Sequence, residues 1–338
     1  MDRRRFLSLA LATGTAVTTA GALGGCGGKD GSGGGSGGGK TDVRLGDTVN
    51  DTNPEIAAEK FFGERLAALT KDRYDVKVFP NGTLGDHNRM NEQVRAGSLQ
   101  MTKTLFANLT AFDKRLGVLS LPYAFPRQDD LFTALDGDLG KQLAGILEGY
   151  ELKVLAYFDS GSRNVYNKKR PIRTPADLKG MRIRVPQDAV AIDAFNTLGA
   201  QATPLATNEI YSALQQGVID GAENNPIFYV TNKHVEEAKF WSWTRHQYGV
   251  DALLVSRKWF AAQPKDMQDA FVQAGLETQS HERALWRTET DGYVKQAGDK
   301  GAKINDDADT AAFVQAVKPV LDKNRATFGD LMKLLPVS

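Results

Sequence analysis

A chain of 338 residues is long enough for two domains with separate cores. Its formal charge is only +1, and the first 25 residues hold three arginines against one aspartate, so the remainder is close to neutral. That balance excludes the basic surface that nucleic acid or an anionic bilayer would demand. The single cysteine, Cys26, leaves the rest of the chain without disulfides, thiolate metal ligands or a nucleophilic thiol.

The first 26 residues have the layout of an export signal. Arg3, Arg4 and Arg5 precede Phe6 and Leu7, and a weakly apolar stretch of Ala, Thr and Gly follows. The arginine cluster resembles a twin-arginine signal, and Leu23 to Cys26 resembles a lipobox, which would leave Cys26 lipidated at the new N-terminus. Alternatively, Cys26 is only a small residue near the cleavage site. Residues 27–40 form a Gly/Ser tether. Gly34 to Thr41 matches the phosphate-loop pattern, but that loop needs a strand before it and a helix after it, and here a glycine tract precedes it.

Beyond the tether, strands and helices alternate. Val43 and Leu45 mark a first strand, and residues 55–71 carry apolar side chains at helical spacing behind Asn53 and Pro54. A strand over 75–79, a turn at Pro80 to Gly82, a helix over 91–96 and a strand over 99–104 follow. One long helix is expected over 129–150, with Leu131, Leu135, Leu139, Leu143 and Leu147 on one side. The next strand covers 152–157, and strands near 181–185, 202–205, 218–221 and 253–256 alternate with helices over 189–198 and 209–216. A long helix over 266–299 and a last packed segment over 308–335 close the chain. The pattern predicts an α/β fold with a parallel-rich sheet. Ligands of such sheets sit beyond the carboxyl ends of strands, which makes His87, Asn88, Lys103, Thr104 and Asn108 pocket candidates.

Arg184 stands in a short strand closed by Pro186. On residue type alone it reads as an exposed edge-strand arginine. A guanidinium on a rigid strand can also hold a carboxylate through two parallel hydrogen bonds, with Asn224 or Asn225 donating beside it. Enzymatic signatures are missing. His87, His234, His246 and His281 are scattered without H-E-x-x-H spacing, and no G-x-S-x-G elbow is present. Glu236 and Glu237 read as a solvated helix face. No cofactor or metal is expected.

Six blocks occur in order: FPNGTLGD (79–86), EQVRAGSLQMT (92–102), LPYAFP (121–126), DLKGMRIRVP (177–186), EIYSALQQGVIDGAENNP (209–226) and KHVEEAKF (233–240). Together they resemble the solute-receptor proteins of tripartite ATP-independent periplasmic (TRAP) transporters. The resemblance runs from about Lys40 to the C-terminus. It implies a two-lobed, type II-like periplasmic-binding-protein fold with hinge strands and a bridging helix. Lobe I would comprise 41–160 plus about 250–290, and lobe II about 161–249 plus about 291–338. It implies that Arg184 grips the solute carboxylate, that Arg163 lies near the mouth of the site, and that Asn224, or its neighbour Asn225, also touches the carboxylate. Where the family often has an aromatic wall, this chain has Thr207, which favours a hydroxylated sugar acid such as a uronate over a C4-dicarboxylate or 2-oxo acid. The expected partners are a small carboxylate solute and a membrane permease. The expected location is extracytoplasmic, held to the membrane by lipid. A receptor feeding a sensor protein, and an exported enzyme, are the alternative readings.

Overall fold

The computed structural model describes residues 39–336, so the export signal, Cys26 and nearly all of the glycine tether lie outside the described residues. The chain enters through β1 (Thr41–Gly46), whose Val43 and Leu45 are fully buried. Asn53 then starts α1 (Pro54–Leu69) by accepting from the Glu55 N–H, and Pro54 occupies the first turn, where its missing N–H costs nothing. After β2 (Tyr74–Phe79), Asp86 caps α2 (His87–Ala96), four residues ahead of the expected start. Gly97, in the left-handed region at φ 80°, ends α2 and feeds β3 (Met101–Leu105). β1 runs parallel to both β2 and β3.

The helix expected over 129–150 is two helices, α3 (Gln128–Asp136) and α4 (Asp138–Glu148), parted at Gly137. The five leucines at four-residue spacing are all buried, so the periodicity survives the break. The chain restarts so close to the end of α3 that a Cβ at Gly140 would lie 1.8 Å from the Leu135 carbonyl oxygen. Glycine allows that return, and apolar spacing alone cannot show it.

β4 (Leu152–Asn167) extends ten residues past the expected strand end. Beyond it come β5 (Arg182–Val185), α5 (Ala189–Thr197), β6 (Gln201–Pro204), α6 (Ile210–Gln215), β7 (Gly221–Asn224), α7 (Pro226–Thr231) and α8 (His234–Glu237). β8 (Phe240–Ser256) is seventeen residues long. Its first half was not expected as a strand, because the residues it buries there include Ser242, Thr244 and His246, and a hydrophobic-period search is blind to a polar inward face. α9 (Arg257–Ala261), α10 (Lys265–Asp299), β9 (Lys303–Asn305) and α11 (Thr310–Phe328) complete the fold, with a 3₁₀ turn over Gly329–Leu334.

The strand order is β2-β1-β3-β8-β4-β7-β5-β6, with β9 also beside β8. β4 and β8 are antiparallel and run through both halves. The 250–256 end of β8 lies between β3 and the 152–159 end of β4, and at the other ends β4 pairs with β7 and β8 with β9. Between the halves the register shifts from Asp159 opposite Val250 to Ser162 opposite Tyr248, with Gly161 at φ 67° in the bulge. The result is a two-lobed α/β molecule joined by two continuous strands. α10 packs on α1, β4 and α7 and so touches both lobes. Phe313 and Val317 of α11 join the core around Ile183 and Phe195, whereas Val320, Phe328 and Leu331 join the core around Leu116 and Leu131. Among the described residues no helix is long and apolar enough to cross a membrane.

Candidate functional site

β5 is an internal strand, held parallel between β7 and β6. Ile183 and Val185 face the apolar core, and Arg184 is only 3% exposed. The edge-strand surface reading is therefore corrected: the arginine is drawn inside because β6 covers the side that the short sequence run leaves open. Arg184 Nε and Nη2 donate to the Leu205 carbonyl oxygen at 3.0 and 2.7 Å. Among the described residues no carboxylate forms an ion pair with it. Burial, acting against the charged form, brings its pKa down to about 10.

Arg163, on β4, is as deeply buried but fully compensated. Its Nε and Nη2 each donate to the Glu223 carboxylate at 2.6 Å, a bidentate pair. Burial works against both charges. The pairing, helped on the Glu223 side by His246 Nε2 at 3.2 Å, more than offsets it, so Arg163 stays above the ordinary arginine value and Glu223 is held down to about 2.

The two asparagines differ in the same way. Asn225 caps α7 by accepting from the Phe228 N–H at 2.7 Å, and its amide donates to the Ser160 carbonyl oxygen at 2.9 Å. Asn224 ends β7, not the loop after it. Its Oδ1 accepts from the Asn225 N–H at 2.9 Å and from Arg163 Nη1 at 3.4 Å, which leaves Nδ2 with no partner among the described residues.

These groups border one recess, which also reaches Thr48, Glu55, His87, Lys103, Thr207, Asp251 and Trp286. Of the residues singled out in the sequence, Arg163, Arg184, Asn224, Asn225, His87, Lys103 and Thr207 converge here, and Thr104 and Asn108 do not line it. Asn88 does not either. It lies in a neighbouring recess, where its Nδ2 donates to Gln187 Oε1 at 2.7 Å. Cys26 lies outside the described residues. His87 is clamped between Thr48 Oγ1 at 2.9 Å and Thr104 Oγ1 at 3.2 Å, and burial lowers its pKa to about 4, so the ring is neutral near pH 7.

Sequence reasoning missed Thr48, Glu55, Asp251, Phe228 and Trp286 as lining residues. Thr48 follows the carboxyl end of β1, where the strand-end rule applies. Trp286 carries no local signal, since α10 brings it in from a distant part of the chain. Among the described residues no cluster of His, Cys, Asp and Glu could hold a metal ion.

The residue pattern of the bacterial extracellular solute-binding protein family 7 matches residues 45–327. A solute-binding protein of Chromohalobacter salexigens is 34% identical over 271 residues, 80% of either chain. A TRAP periplasmic solute binding protein from Sulfitobacter sp. NAS-14.1, solved with bound β-D-galacturonate, is similar with a TM-score of 0.86 at 30% identity, over 88% of this chain and 100% of that one. A second, from Roseobacter denitrificans with bound β-D-glucuronate, gives 0.84 at 32% identity over 87% and 98%. This chain therefore belongs to family 7 of the bacterial extracellular solute-binding proteins, as a DctP-like TRAP receptor that binds solute outside the cytoplasm and not as an enzyme.

Proposed function

We propose that this receptor captures a sugar acid, a uronate foremost, by holding its carboxylate on Arg184. The observation that carries this is a buried guanidinium with no carboxylate partner, set in a cavity beside the unpartnered Asn224 amide. A buried charge costs several kcal/mol unless it is paired, so the missing partner is an anion that arrives from outside. Thr207 gives the lining a small, polar side chain that suits a hydroxylated ring, and the bound uronates of the two similar structures have that chemistry. Arg163 adds a donor, Nη1, without adding net charge, because Glu223 neutralises it. His87 and Thr207 line the wall. Asn225 shapes the loop, and Asn88 fastens the rim to Gln187.

Capture proceeds by closure of lobe I (41–160 and about 250–290) on lobe II (about 161–249 and about 291–338). Ligand contacts to both lobes favour the closed form. The closed receptor then hands the acid to a TRAP membrane permease. A lipid on Cys26 keeps it near that permease. If so, Cys26→Ala moves the protein from the membrane to the soluble fraction on fractionation; retention in the membrane would rule the anchor out.

Titration calorimetry of the purified protein with D-glucuronate and D-galacturonate tests the central claim. Arg184→Ala should weaken binding by roughly 2–5 kcal/mol, the range for orphaning one member of a buried charged pair. Wild-type affinity in that variant would overturn the reading.

A further inference from the structure

The wall that α1, β3 and β8 contribute to the cavity is also strongly charged, and its charges are arranged differently. Lys103 is 1% exposed, and three carboxylates surround it: Glu55, Asp251 at 2.9 Å and Asp47 at 3.2 Å. Lys103 Nζ donates to Glu55 and Asp251, and Asp47 completes the ion cluster. Three carboxyl neighbours leave Lys103 no charge to spare for a second anion, although it borders the cavity. Asp251 lines the same cavity, is 4% exposed, and its Oδ1 has no hydrogen-bond partner among the described residues. Trp286, on the same lining, likewise leaves Nε1 unpartnered and buried. Behind Glu55, the two Glu59 oxygens are buried and unpartnered, and burial raises both glutamates well above the usual carboxylate range.

We infer that this wall is a hydroxyl-recognising subsite, in which Asp251 Oδ1 accepts from the polyol part of the ligand and the saturated Lys103 cluster rejects a second carboxylate. The inference rests on the reading of Arg184 as the single carboxylate clamp. A buried acceptor left unmade is costly, and a neutral hydroxyl satisfies it. A carboxylate placed there would face Asp251, and among the described residues the one cation of that wall, Lys103, already faces three carboxyls; like-charge juxtaposition of that kind is strongly unfavourable. The site thereby takes a sugar monoacid and discriminates against aldaric acids and other dicarboxylates, with Asp251 as a specificity-determining residue.

The test is a calorimetric comparison of D-glucuronate, D-gluconate and D-glucarate on wild-type protein. D-glucarate should bind at least about tenfold more weakly than the tighter of the two monoacids. D-glucarate binding closer than that, with Arg184→Ala abolishing both, would overturn this inference and leave the receptor reading standing. No binding by any of the three would remove the sugar-acid reading of the proposed function and this inference with it. Asp251→Asn, which nearly keeps the shape and removes the charge, should narrow the monoacid-to-glucarate ratio by about tenfold or more. An unchanged ratio in a folded variant would also overturn the assignment. If that variant does not fold, the wild-type comparison still decides.

Discussion

Arg163 and Arg184 share a side chain and a depth of burial, and the arrangement of carboxylates alone separates their roles. Glu223 neutralises one, and no described residue neutralises the other. The same logic separates Asn224 from Asn225, which the sequence could not rank. Asn225→Ala should cost the fold roughly 1 kcal/mol or more through loss of the α7 cap, seen as a lower melting temperature. Asn224→Ala removes the acceptor shared by the Asn225 N–H and Arg163 Nη1, so it should also lower the melting temperature, and in addition it should weaken uronate binding by about 1–3 kcal/mol, the cost of a lost hydrogen bond to a charged group. Calorimetry in which Asn225→Ala loses more affinity than Asn224→Ala would exchange their roles. Arg184 was legible as a candidate only through the blocks around it. Its burial was not, because it depends on β6 covering β5 from a separate part of the chain.

At the scale of elements, the bulge in β4 decides how the lobes join. Gly161 sits there at φ 67°, and a Cβ would approach Trp286 Nε1 to 2.7 Å and Asn225 Cβ to 3.2 Å. Gly161→Ala should therefore destabilise the protein by about 1–3 kcal/mol, from left-handed strain plus that clash. It should also weaken ligand binding, since Trp286 and Asn225 border the cavity. Denaturant titration and calorimetry would check both, and an unperturbed variant would show that the bulge tolerates a side chain. α1 was legible because local chemistry starts it: Asn53 caps its first turn and Pro54 occupies that turn. β8 was half-legible. Where its buried face is apolar, from Val250 onwards, the strand announces itself; where that face is polar, between Ser242 and His246, only pairing with β4 reveals it.

At the scale of the whole molecule, buried neutral histidines tie stability to pH. His87 and His234 are lowered by burial to about 4 and about 3, from an ordinary 6.5. Between pH 6.5 and those values the unfolded chain takes up protons that the native protein refuses, so stability falls as pH falls and levels off below them. His87 alone accounts for roughly 2 kcal/mol of loss between pH 7 and pH 4.5. In urea denaturation at those two pH values, His87→Asn should lose less stability on acidification than wild type by about that amount. Equal losses would show that His87 does not titrate this way. Glu55 and Glu59, shifted upward by burial, act in the opposite sense, which is why the difference between variant and wild type is the quantity to read.

The class of molecule is legible in the sequence. Alternating strand and helix patterns, the Asn53-Pro54 start of α1 and six ordered blocks are local features, set by neighbours a few residues apart, so they survive in a linear reading. The sequence also brought forward Arg163, Arg184, Thr207, Asn224 and Asn225, through the blocks around them. Which charges are left unpaired is set by the tertiary structure. Compensation of Arg163 by Glu223, saturation of Lys103 by Asp47, Glu55 and Asp251, and the isolation of Arg184 all join residues from separate elements. Coulomb energy depends on distance and burial in space. Neither is written in the spacing of residues along the chain.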